Sequence, residues 1–152
     1  MKTLLLPYFI FLSGLDKLLV LLRPLALLAA RCYVGWVFFS SGLLKIKDWD
    51  STLFLFEEEY AVPFLSPEVA AYLGTGGELL LPVLLVLGLL NPIAAIGLSV
   101  LNVTAVLSLE DIAPAALSMH VIWGVLLAMV LLWGPGRLSI SGLFSGAGRK
   151  AH

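Results

Sequence analysis

The chain has 152 residues, of which 61% are hydrophobic and only 12% charged, with a formal net charge of −1. A soluble domain carries roughly 25% charged residues, and one of this length has too little interior to hide so much apolar surface. The composition therefore excludes an ordinary water-soluble globule, and nothing in the near-neutral charge suggests nucleic acid as a partner. One cysteine, Cys32, excludes an internal disulfide and a dithiol relay within the chain.

Residues 3–15, TLLLPYFIFLSGL, are apolar but too short to span a bilayer, and Asp16 and Lys17 interrupt them. They read as a helix at the membrane surface, with a fifth span as the rival reading. Crossing the hydrocarbon takes about 20 helical residues. Four segments read as long enough: about 24–44, 67–90, 92–109 and 114–133. Each opens with a proline, which suits the first helical turn, where a missing N–H costs nothing. At the second span Ser66 is placed to cap, and Glu68 sits at the positive end of the helix dipole. Between the first two spans, Trp49, Thr52, Leu53, Phe56 and Tyr60 recur at helical spacing while Asp50, Glu57 and Glu58 face elsewhere, predicting a short amphipathic helix. YAVPFLSP then reads as an extended re-entry, because each proline discourages helix before it.

These elements predict a single all-α domain over 1–152. It is an integral membrane four-helix bundle with an N-terminal interfacial segment (1–23), a short amphipathic helix in the first outer loop and a tail at 134–152. Basic residues gather near both termini (Lys2, Lys17, Arg23; Arg137, Arg149, Lys150), whereas the 45–66 link is acidic. The positive-inside rule then places both termini in the cytoplasm and the acidic loop outside.

The stretch GGELLLP at 76–82 poses the chemical question. Glu78 lies about 16 Å along the second span, near the bilayer midplane. A carboxylate costs a few kcal/mol there unless it faces the bundle interior and finds a partner. Pro82 frees the carbonyl of Glu78 by lacking the N–H that would bond it, and Gly74, Gly76 and Gly77 leave room one turn earlier. The combination reads as a kinked polar cavity, and equally as a helix kink whose acid is neutralised by an arginine. Arg31, about 10 Å into the first span, is the obvious partner. However, side chains of the two antiparallel spans lean apart there, so Arg31 pairs with Glu78 or snorkels to the surface. His120 is suited to proton relay, but no second membrane-buried histidine exists to build a metal or bis-histidine haem site, so no metal is expected. Asn102 and Thr104 read as helix–helix contacts before ligand contacts. No Walker loop, dinucleotide fingerprint or hydrolase elbow is present.

Four stretches, FFSSGLLKIKDW (38–49), FEEEYAVPFLSP (56–67), GGELLLPVLLVLGL (76–89) and WGPGRLSI (133–140), resemble the DoxX family. The family often has an aspartate where Ser141 stands here. The resemblance implies a small four-helix protein of the bacterial inner membrane, and in some members association with quinone-linked sulfur oxidation or redox-stress complexes. It also directs attention to Arg31, Lys45, Glu59, Tyr60, Glu78 and Pro82. The expectation is a redox-associated accessory subunit that binds a quinone-like or other small molecule near Glu78, with Arg31, Lys45, Glu59, Tyr60, Asn102 and His120 as binding or charge-relay candidates. Pro82, Gly74 and Gly77 would form the kink. Such a subunit holds no self-contained catalytic centre and works with a protein partner or as a homo-oligomer. The alternatives are a membrane scaffold packing through Ala70, Gly74, Ala94 and Gly97, or an oligomeric small-solute permease.

Overall fold

The computed structural model describes residues 2–148, with side chains described for 14–144. Six helices follow in order: α1 Lys2–Lys47, α2 Trp49–Glu58, α3 Pro67–Leu87, α4 Asn91–Leu107, α5 Pro114–Trp133 and α6 Ile140–Gly148. The described residues contain no strand. Helices α1, α3, α4 and α5 pack in a closed ring in that order, up-down-up-down, while α2 lies against α3. The ring encloses a dry core of Val34, Phe38, Leu85, Ala94, Ala95, Leu98, Leu127 and Val130. Outside the ring, large apolar side chains on every long helix remain exposed, as lipid-facing surfaces do.

Three helices are long and apolar enough to cross a membrane: the Gly14–Lys47 part of α1, α3 and α5. Helix α4 is apolar but has only 17 residues, about 25 Å, a few ångströms short of the hydrocarbon thickness. The expected N-terminal segment is not a separate helix. Residues 2–23 run into the first span without a break at Pro24. A lone proline removes one bond and bends a helix, and no turn-forming residue stands beside it to end the helix. Gly14–Lys47 alone is about 50 Å long, so α1 tilts or projects beyond the hydrocarbon. The tail beyond residue 148 lies outside the described residues.

The local capping follows the sequence. Ser66 accepts a bond from the Val69 amide, with Pro67 in the first turn. Asp48 caps α2 by accepting from the Ser51 amide at 3.1 Å and hydroxyl at 2.7 Å, which holds its carboxyl below the usual range. The amphipathic α2 buries Thr52 and Phe56 and packs on Ala70 and Ala71 of α3. Its register places Trp49 on Tyr72, with ring centroids 4.7 Å apart. After α2, the 59–66 strap is tied to the end of α4 by the Ala61 amide, which bonds the Ser108 carbonyl at 2.9 Å.

Close approach of α1 to α3 depends on two glycines seven residues apart, hence on one helix face. A Cβ at Gly35 would meet Val86 Cγ2 at 2.6 Å, and one at Gly42 would meet the Leu79 side chain at 3.0 Å and Glu78 Cβ at 3.1 Å. Small residues let helices meet this closely in lipid. Ala70 and Ala94 are buried within the chain, and Gly97 backs onto Leu81. The small residues that a scaffold reading reserves for a partner are thus used internally.

Candidate functional site

The two ends of the ring treat their polar groups differently. At the α6 end, Arg31 is fully buried on α1. Its Nη1 donates to the carbonyls of Val86 at 3.1 Å and Leu85 at 3.5 Å, and its Nη2 donates to the carbonyl of Leu138. The first two carbonyls lie in the last turn of α3, where cations are favoured, and that of Leu85 also accepts the Gly88 amide at 3.1 Å. Gly88 ends that helix at φ +68, and a Cβ there would lie 2.6 Å from Arg31 Nη1 and 2.4 Å from Ser139 Cβ. Glycine is needed twice over, for the left-handed backbone and for the space. Ser141 donates to the Gly88 carbonyl, and Asn91 donates to the Val130 carbonyl at 3.1 Å. Arg31 therefore does not pair with Glu78. It ties the α6 segment to the bundle.

At the α2 end the partner of Glu78 is Lys45. Lys45 Nζ lies 2.7 Å from Oε2 and 2.9 Å from Oε1 of Glu78. It also donates to Ser41 Oγ at 2.8 Å, and Ser41 donates to Glu78 Oε1 at 3.3 Å. Helix geometry explains the choice. Side chains lean toward the N-terminus of their own helix. Lys45 near the end of α1 therefore leans down the bundle, while Glu78 on the antiparallel α3 leans up toward it, and Arg31 leans away. The pair is half-buried, so its worth lies between that of a surface pair and a fully desolvated one.

Beside this pair is a cavity of about 500 Å³. Its polar wall carries Ser41, Lys45, Tyr60, Glu78, Thr104 and His120, and its apolar wall includes Phe38, Phe56, Leu101 and Trp123. All four ring helices, α2 and the strap contribute. Strap and neighbouring charges push the Tyr60 phenol above its ordinary value, first by burial, then by the proximity of Glu59 and Glu78. His120 is set by Asn102, whose Nδ2 donates to the His120 carbonyl at 2.9 Å while its Oδ1 lies 2.8 Å from His120 Nδ1. The imidazole packs edge-on against Trp123 at 4.8 Å.

Of the residues singled out from sequence, Lys45, Tyr60, Gly74, Glu78 and His120 meet at the cavity, and Asn102 supports it from behind. Arg31 stands at the other end, and Glu59 is exposed and does not line the cavity. Gly77 faces Leu101, which a Cβ would approach to 2.9 Å. Pro82 is buried inside an unbroken α3, its carbonyl 3.5 Å from the place of a Gly35 Cβ. Sequence reading missed Ser41 and the two close-approach glycines of α1. The seven-residue spacing of Gly35 and Gly42 was the available signal for the last. Among the described residues there is no group of three or more His, Cys, Asp or Glu able to hold a metal ion.

A polytopic helical bundle with an ion pair set against an interior cavity defines a small membrane protein with a candidate binding chamber. The chain belongs to the DoxX family, whose model matches residues 26–111, more than half of its length. It is also similar to an uncharacterized protein of Haemophilus influenzae, 27% identical over 127 residues that cover 78% of this chain and 82% of that one. Comparison with solved structures finds no match.

Proposed function

We propose that the cavity binds a lipid-soluble aromatic molecule with a polar, quinone-like head group, and that the protein is a redox-associated accessory subunit of the bacterial inner membrane. The supporting observation is the pairing of an aromatic-walled chamber of about 500 Å³ with the Lys45–Glu78 cluster on one side and His120 on the other. Pockets of this size and lining, with a few convergent polar groups, suit a ring that the apolar wall buries and the polar wall orients. Electrons would come from a partner protein. With both termini cytoplasmic, as the loop charges suggest, the chamber lies toward the outer face.

The test fills the chamber. Gly74 lines it, and a Cβ there meets only Phe56 Cζ, at an ordinary 3.6 Å, so Gly74→Leu grows into free space. Purified protein in lipid nanodiscs should show saturable quenching of tryptophan emission by a short-chain naphthoquinone or by its reduced hydroquinone. The substitution should weaken that binding at least about tenfold while leaving the unfolding midpoint little changed. Equal binding by both proteins, or none by either, refutes the chamber as the site.

A further inference from the structure

The hydrogen-bond inventory of the cavity wall specifies more than size. Asn102 bonds His120 twice. Its amide orientation is forced, because reversing it would set Oδ1 against the His120 carbonyl, an acceptor against an acceptor. Oδ1 therefore faces Nδ1, and Nδ1 must carry the proton that makes the 2.8 Å contact a hydrogen bond. No carboxylate is bonded to the ring among the described residues, and a single N–H, on Nδ1, is what the Asn102 contact requires. In the neutral ring the lone pair then resides on Nε2, which no group among the described residues engages.

The other polar groups lean the same way. Lys45 Nζ has three protons, and three acceptors take them: Ser41 Oγ and both oxygens of Glu78. Ser41 donates to Glu78, Ser108 to the Ala105 carbonyl, and the Trp123 indole N–H to the Tyr33 hydroxyl at 3.4 Å. A ligand thus meets an acceptor at His120 and two hydroxyls, Tyr60 and Thr104, that serve either way. Lys45, the cation of the wall among the described residues, has no proton left to offer.

We infer that the cavity selects a hydroxyl-bearing aromatic, a phenol or hydroquinone head group whose O–H donates to His120 Nε2, over carbonyl or ether counterparts of the same shape. The inference rests on the chamber being an aromatic-ligand site as proposed above, and adds the form of ligand it takes. His120 is the specificity-determining residue, and Asn102 positions it by fixing the tautomer. A quinone carbonyl placed there would face a lone pair, and a buried acceptor without a donor is costly. A hydroxyl satisfies both sides.

The experiment uses the full chain in lipid nanodiscs, with empty nanodiscs as the partition blank. Isothermal titration compares 1-naphthol with 1-methoxynaphthalene, which has the same ring and no donor. Nitrogen-15 spectra of labelled histidine report the tautomer of His120, His152 being assigned by its own substitution. The expected result is at least about tenfold tighter binding of the naphthol and a bare Nε2 on His120. In His120→Phe the two affinities should fall within about twofold of each other. In Asn102→Leu, where the ring is free to exchange tautomers, the preference should shrink while methoxynaphthalene affinity holds. Equal affinities in the parent chain, or a proton on Nε2 with Nδ1 bare, overturns the inference and leaves the chamber standing. Failure of both compounds to bind overturns the chamber reading and the inference together.

Discussion

Both ends of the bundle place a basic side chain from α1 among groups of α3, yet they are built for different ends. At the α6 end Arg31 is sealed, its two terminal guanidinium nitrogens bonded to backbone carbonyls and its side chain away from the cavity. At the α2 end Lys45 meets a carboxylate instead, and a cavity opens next to the pair. A buried charge that closes a helix terminus stabilises the fold. A charge pair next to empty space leaves groups for something else to use. In this protein the void, more than the charge, marks the candidate site.

The largest expected effect breaks the sealed end. Arg31→Leu leaves the carbonyls of Val86 and Leu138 without their donor, the Leu85 carbonyl keeping the Gly88 amide, and should lower stability by about 3 kcal/mol, read from reversible unfolding in detergent. Ligand binding per folded molecule should survive, because Arg31 does not line the cavity. If binding vanishes while folding is intact, the two ends are coupled and the contrast between them fails.

A smaller effect is expected at the open end. Lys45→Met should cost about 2 kcal/mol by stranding Glu78, and adding Glu78→Leu should recover at least about 1 kcal/mol of that. A double-mutant cycle measures the coupling, and a value near zero would make the 2.7 Å pair energetically idle.

The smallest effect concerns Tyr60. Its phenol value is raised above the ordinary 10.0 by burial and by Glu59 and Glu78. Between the unfolded and folded values the native state holds the proton more tightly, so stability falls as pH rises above about 10 and is undiminished below. Tyr60→Phe should flatten that alkaline decline, seen as a shallower loss of unfolding midpoint across the same range. An unchanged slope would show that the strap does not bury the phenol.

Much of this was legible in one dimension. Membrane spans follow from run length and composition, because lipid demands continuous apolar helix. The starts of α3 and α5 coincide with the prolines that announce them, and Ser66 and the α2 stripe behave as their spacing implies. The need of Glu78 for a partner was also legible, because a midplane carboxylate is costly whatever surrounds it.

Which residue answers that need was settled only by the packed helices. Arg31 and Lys45 are both basic and both on α1, and linear spacing favours neither. Side-chain lean, the close approach allowed by Gly35 and Gly42, and the carbonyls freed at the end of α3 together assign one to each end. The continuity of α1 through Pro24 and the tautomer of His120 were likewise hidden, since each depends on neighbours distant in sequence or absent from it. The chain alone determined its solvent and where its long apolar runs lie, which are sums over local preference. Pairing and void are properties of several helices at once, so they came into being only with the tertiary structure.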